Sequence, residues 1–197
     1  MRFQETLIIQ PNFIQWEKFT LNFWKQIPAG DNPPEFLNMV IEVNSGSRDK
    51  FEYKSDWEAF VLDRVIPSSV VFPVEYGFVP QTLDIDGDPL DIMALTYEPL
   101  EVGAIAKVRA IGVLVMEDER GIDPKILSVL VNDLRYEGYY GTRNVQAYLL
   151  KEIQEFFTTY KRLEPCKWAK VKGWKDAAAA KQIVRSAMNS FQELIQK

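Results

Sequence analysis

Between residues 38 and 131 the chain is a succession of short runs rich in β-branched and aromatic residues. They are MVIEV (39–43), FEYK (51–54), AFVLDRVI (59–66), VVFPVEYGFV (70–79), DIMALTY (91–97), AIAKVRAIGVLVME (104–117) and KILSVLV (125–131), each set off by Gly, Pro or Asp. Such side chains suit a pleated, half-buried surface, and short strands at this spacing predict a barrel or a sandwich. The pattern changes after residue 143. Val145, Tyr148, Leu149, Ile153, Phe156, Phe157, Tyr160 and Leu163 recur at helical spacing. LEPCKWAKVKGW interrupts, and Ala180, Ile183, Val184, Ala187, Met188, Phe191, Leu194 and Ile195 form a second stripe, with Asp176 placed to cap it. A β-rich body followed by two helices is the α+β pattern. Residues 1–35 are aromatic-rich. FTLNF (19–23) alternates like a strand, and IPAGDNPPEF marks a turn. The expected organisation is one domain over 1–197: an N-terminal extension (1–25), a mainly β portion (26–131) and two helices (143–195).

What the chain lacks narrows its chemistry. It contains no histidine and a single cysteine, Cys166. Ser-His-Asp and Cys-His catalysis, phosphohistidine and His-ligated zinc are excluded, and no internal disulfide can form. The lone thiol suits a reducing, cytoplasmic setting. No signal-peptide pattern opens the chain, and no apolar run approaches the ~18–20 residues that span a bilayer. A formal net charge of −5 argues against broad binding of nucleic acid.

The most unusual local feature is LDIDGDPLDI, residues 83–92, where Asp84, Asp86, Asp88 and Asp91 are crowded together. A polar turn accounts for one or two of them. A calcium loop of the EF-hand type fails in both frames. Starting at Asp84 it puts Pro89 where Gly is needed and Leu95 where Glu is needed; aligning Gly87 puts Thr82 first and Met93 last. Oxygen ligands without His or thiolate suit hard cations, Mg²⁺ or Mn²⁺. Gly87 lets the backbone bend so that Asp86 and Asp88 can face one ion. A second acidic turn, MEDERGIDPK (116–125), has a similar build; two such turns meeting at one cavity imply more than one metal. Lys50 and Glu52 alternate and share a strand face. Arg64 lies late in its strand, and Tyr160 and Lys161 fall on the first helix.

These residues resemble the soluble inorganic pyrophosphatases, bacterial type. DIDGDPLDI is similar to that family's metal-binding signature. IPAGDNPPEFLNMVIEV, KFEYK, LDR, FPVEYGFVPQT, IGVLVMEDERGIDPK, FFTTYKRLEPCKWAKVKGW and the alanine-rich helix follow in the family's order, from about Ile27 onward. The resemblance implies a small closed OB-like barrel of about five main strands with two C-terminal helices beside it. It implies metal-dependent hydrolysis of pyrophosphate to two orthophosphates, without a covalent phosphoenzyme. Asp86, Asp88, Asp91, Asp118 and Asp123 would be metal ligands, with Glu42 and Glu52 holding metals directly or through water. Lys50, Arg64, Lys125, Tyr160 and Lys161 would bind phosphate, and Tyr76 would help orient Asp88 and its surroundings. Lys167 and Glu119 match family positions with lesser roles. Several Mg²⁺ ions per site are implied, Mn²⁺ being a possible substitute. The implied assembly is a homo-oligomer: hexamer favoured, dimer or trimer possible. Asp88, between Asp86 and Asp91, is the expected general base.

Phe72 stands where many relatives have Tyr. NDLRYEGYYGTRNVQAY is unlike the usual region, and residues 1–25 have no counterpart. The aromatic residues Phe13, Trp16, Phe19, Phe23 and Trp24 should pack on the core or on a neighbouring subunit. Two rival readings remain: a small barrel that binds oligonucleotide or protein, and a metal-dependent phosphatase or nuclease acting on an organic phosphate.

Overall fold

The computed structural model describes residues 21–196. In chain order the strands are β1 (Leu37–Val43), β2 (Asp49–Lys54), β3 (Ala59–Val65), β4 (Glu75–Phe78), β5 (Asp91–Leu95), β6 (Ile105–Asp118), β7 (Gly121–Ile122), β8 (Lys125–Leu130) and β9 (Ala169–Asp176). The α-helices are α1 (Ala147–Thr159) and α2 (Ala177–Ile195). The strands β1, β4, β5, β8 and β6 follow one another side by side, and β6 pairs back onto β1. The result is the expected α+β fold, a five-stranded OB-like ring with two helices beside it.

Period-two alternation divides the core. Met93, Leu95, Leu127 and Val129 join Ile153, Phe156 and Phe157 of α1. Their neighbours Ile92, Ala94 and Ile126 join Ala180, Val184 and Ala187 of α2. Each helix therefore covers the side chains of one sheet face. The Asp176 side chain accepts the Ala179 N–H at 2.9 Å, the predicted cap of α2. At Gly77 a β-carbon would lie 1.9 Å from the Val40 carbonyl oxygen, so only glycine lets β4 approach β1 this closely.

Three expectations are corrected. The interruption between the helical stripes contains β9, which pairs antiparallel with the second half of β6; 143–195 is helix, strand, helix. Only its C-terminal part alternates visibly, and β6 supplies the ladder that settles it. The run 70–79 contributes only Glu75–Phe78 as strand, because Pro73 cannot donate to a ladder. Tyr160 is the C-cap of α1 and Lys161 lies in the turn beyond it, not on the helix. The type of the segment before residue 26 is left open by its sequence; Leu21–Phe23 form no strand, and Phe13, Trp16 and Phe19 lie outside the described residues.

The hairpin β2–β3 is a separate two-stranded sheet. In it Lys50 faces Arg64 across the ladder. The parallel pairing of β5 with β8 sets Ile92 beside Ile126, so the preceding Asp91 and Lys125 begin their strands side by side. The tight hairpin β6–β7 ends one strand at Asp118 and releases the chain at Asp123, whose N–H bonds to the Met116 carbonyl at 2.9 Å.

Candidate active site

These elements surround a cavity of about 730 Å³. All thirteen site residues expected from the sequence line it: Asp86, Asp88 and Asp91 from one side, Asp118 and Asp123 from another, Glu42 and Tyr76 from the ring, Lys50, Glu52 and Arg64 from the β2–β3 hairpin, and Lys125, Tyr160 and Lys161 from the helix side and β8. Asp84 is absent from the lining. Its backbone closes the turn, accepting from Gly87 N–H and donating to the Asp88 carbonyl. Gly87 sits at φ +90°, a conformation an L side chain resists, which is how the loop turns Asp86 and Asp88 the same way. Phe72 packs in the core against Tyr76 and Phe156 and does not line the cavity.

The two acidic turns meet through shared cations. Lys125 Nζ, only 3% exposed, pairs with both Asp91 and Asp123. Arg120 Nη1 reaches Asp88 at 2.8 Å and Asp86 at 3.3 Å. Lys161 Nζ donates to Asp118 at 2.6 Å and to Glu119 at 3.0 Å. Lys50 pairs with Glu52, as their shared strand face predicts, and Lys54 joins them. Within the surroundings of Asp88 that it was expected to orient, Tyr76 holds Asp91: its hydroxyl donates to Asp91 Oδ2 at 2.5 Å. Arg64 Nε donates to Glu164 at 3.0 Å, and Lys167 pairs with the same carboxylate at 2.8 Å.

Arg120 and Glu164 were not anticipated as site groups. Arg120 lines the cavity, while Glu164 reaches the site only through Arg64 and Lys167; both lie inside motifs singled out in the sequence, DERG and RLEPCKW, but nothing in their spacing separates such an Arg or Glu from a solvated one. Trp24 and Lys54 also line the cavity.

Burial sets the protonation of this site. It pushes Glu42 up to about 8, against the opposing pull of Lys50. It pushes Asp123 up to about 6, Lys125 pulling the other way, and raises the Tyr160 phenol to about 12. Burial also works to raise Glu52, but Lys50 and Lys54 outweigh it and hold the carboxyl at about 2. Lys125 is likewise opposed by burial, yet Asp91 and Asp123 keep its ammonium charged. In metal-free protein Glu42 therefore keeps its proton from about pH 4.5 to about pH 8 when folded and loses it when unfolded, so its contribution to stability falls as pH rises through that window. Glu42→Gln preserves the acceptor for the Tyr53 N–H, 2.7 Å away. In EDTA the variant is expected to match the parent's melting temperature at pH 5 and exceed it at pH 9. Equal melting temperatures at both would contradict a buried, protonated Glu42.

The donor set suits divalent cations. Among the described residues no three carboxylates are drawn together tightly enough to hold an ion as arranged. The groups that could do so are nevertheless all hard oxygen donors facing one cavity, without His or thiolate. The Lys and Arg side chains paired with them are long and flexible enough to yield.

The chain matches the family model described as inorganic pyrophosphatase over residues 39–192. It is 45% identical over 169 residues to the inorganic pyrophosphatase of Thermus thermophilus, covering 85% of this chain and 97% of that protein. It is 42% identical to that of Campylobacter jejuni, covering 84% and 97%. The crystal structure of the Thermus thermophilus inorganic pyrophosphatase aligns with a TM-score of 0.85 at 44% identity, over 87% of this chain and 99% of the other. A family match across most of the chain, relatives covered almost end to end and a shared fold lead to one conclusion: this chain belongs to the inorganic pyrophosphatase family.

Proposed function

We propose that the protein is an inorganic diphosphatase, hydrolysing pyrophosphate to two orthophosphates by direct attack of water, with no covalent phosphoenzyme. The observation that carries this reading is the meeting of two acidic turns with a set of lysine and arginine side chains around one cavity. Asp86, Asp88, Asp91, Asp118 and Asp123 would hold several Mg²⁺ ions, Mn²⁺ being a possible substitute, with Glu42 and Glu52 supporting them. Ions bound there would neutralise the substrate's charge and lower the pKa of water toward ~7.

The chain's own groups do the rest. Asp88 takes the proton of the attacking water. Tyr76 holds Asp91 by its short hydrogen bond. Lys50 and Arg64, opposite one another on the hairpin, hold the leaving phosphate together with Lys161. Tyr160, a phenol with its pKa at about 12, stays protonated and donates. Lys125 stays charged between Asp91 and Asp123 and serves phosphate from there. Arg64→Lys keeps the charge but not the fork that also engages Glu164. It should weaken catalytic efficiency on the order of tenfold, and unchanged kinetics would assign Arg64 to structure alone.

The full chain is proposed to form a single-domain, cytoplasmic homo-oligomer, a hexamer favoured. No described helix is long and apolar enough to cross a membrane. A clustered acidic cavity disfavours nucleic acid as partner. Phosphate release from pyrophosphate, a nucleoside triphosphate and p-nitrophenyl phosphate, each with Mg²⁺ and then EDTA, tests the reading. Mg²⁺-dependent release from pyrophosphate far above the other two is expected. Preference for an organic phosphate would overturn it.

A further inference from the structure

Three consecutive residues near the start of the described chain touch both halves of the cavity. On the hairpin side, the Asn22 amide donates to Ser55 Oγ at 3.0 Å. The Phe23 N–H donates to the Tyr53 hydroxyl at 3.1 Å. The Phe23 ring packs on Tyr53 and meets Phe60 edge-on, at centroid distances of 5.5 and 5.3 Å. On the other side, the Trp24 indole N–H donates to the Thr82 carbonyl at 2.7 Å, and the Trp24 carbonyl accepts from Gln81 N–H at 2.8 Å. The Trp24 ring packs on Phe191 of α2 while also lining the cavity.

What these contacts join decides their meaning. The β2–β3 hairpin carries Lys50, Glu52 and Arg64 yet shares no strand ladder with the main sheet. Thr82 begins the loop that carries Asp86 and Asp88, and its hydroxyl accepts from Leu90 N–H at the loop's far end, 2.9 Å away. Asn22–Trp24 thus connects the phosphate-binding hairpin to the base of the acidic loop over three residues, which enter a turn closed by the Gln26 N–H bonding to the Asn22 carbonyl at 2.9 Å.

We propose that Asn22–Trp24 is a positioning strap that sets the separation between the phosphate-binding hairpin and the acidic loop. None of the three need touch substrate; they act through Tyr53 and Ser55 on one side and Thr82 on the other. The proposal rests on the diphosphatase reading for the roles of the two halves. Displacing a reacting group by 1 Å can cost about 10²-fold, so a smaller loosening should cost about tenfold.

The two ends of the strap can be cut separately. Phe23→Ala loosens the hairpin, and Trp24→Leu removes the indole hydrogen bond while keeping an apolar side chain. Asn22→Ala is a milder hairpin-side cut that serves if Phe23→Ala fails to fold. The readouts are equilibrium binding of Mn²⁺ alone and of imidodiphosphate, whose P–N–P bridge resists hydrolysis, to the Mn²⁺-loaded full chain. Phe23→Ala is expected to weaken imidodiphosphate about tenfold, and Asn22→Ala about threefold, each with a clearly smaller loss of Mn²⁺ affinity, since Glu52 is the one proposed cation-holding carboxylate that the hairpin carries. Trp24→Leu is expected to weaken Mn²⁺ itself about tenfold. If each variant shifts both affinities equally, or neither, the strap has no positioning role and the contacts are packing alone. A parent chain that binds both probes but releases no phosphate from pyrophosphate would instead refute the diphosphatase reading, leaving the split itself to decide the strap.

Discussion

Asp88→Asn is expected to lower Mg²⁺-dependent phosphate release from pyrophosphate by about 10²–10⁴-fold, the span of a general base. Asn has the same shape and can keep the turn in which Asp88 N–H donates to Asp86 Oδ1 at 3.1 Å. It can also still accept from Arg120, which lies 2.8 Å from Asp88 Oδ2. What it cannot do is take a proton. Fold and most cation binding should therefore survive, as circular dichroism and Mn²⁺ titration would record. Turnover within a few-fold of the parent would remove Asp88 from the base role and leave it as a ligand at most.

The second large effect is on stability. Lys125 is the buried cation between Asp91 and Asp123, and burial already pushes Asp123 up to about 6 with that cation in place. Lys125→Met leaves two carboxylates facing one another in poor solvent. Breaking a buried pair this way costs about 3–5 kcal/mol, or about 10 °C of melting temperature for a chain of this size. In EDTA the variant should melt lower than the parent by that amount. Adding Mg²⁺ should recover more in the variant than in the parent, because a divalent ion supplies the missing charge to the same carboxylates. A deficit that Mg²⁺ leaves untouched would mean that Asp91 and Asp123 serve packing rather than cation binding.

Much of the site was legible because its chemistry is carried by motifs whose residues are close in sequence. Asp86, Asp88 and Asp91 fall within six positions, and Gly87 announces the bend. Lys50 and Glu52 could be placed on one face from strand period alone, and Asp176 announced its helix. Other features depend on pairings that no local pattern encodes. β9 becomes a strand because β6 is long enough to offer it an edge. Tyr76 serves Asp91 because β4 pairs with β5, setting Tyr76 opposite Met93, two residues from Asp91. Arg120 reaches Asp88 across 32 positions of sequence and Arg64 reaches Glu164 across 100, distances over which charge pattern carries no signal. The N-terminal aromatics showed a similar limit: their number predicted packing, but only the contacts of Phe23 and Trp24 show that they lie between two functional elements.

The central claim is that the loop bearing Asp86 and the turn bearing Asp123 form one cation site on which hydrolysis depends. It is tested most directly by titrating Mn²⁺ into the parent, Asp86→Asn and Asp123→Asn, then measuring phosphate release from pyrophosphate by the same samples. The prediction is more than one Mn²⁺ per parent chain, weaker binding in both variants although the substitutions lie in two separate turns of the chain, and hydrolysis falling in step with binding. Parent-like Mn²⁺ binding in either variant, or undiminished hydrolysis by the parent in excess EDTA, would contradict it.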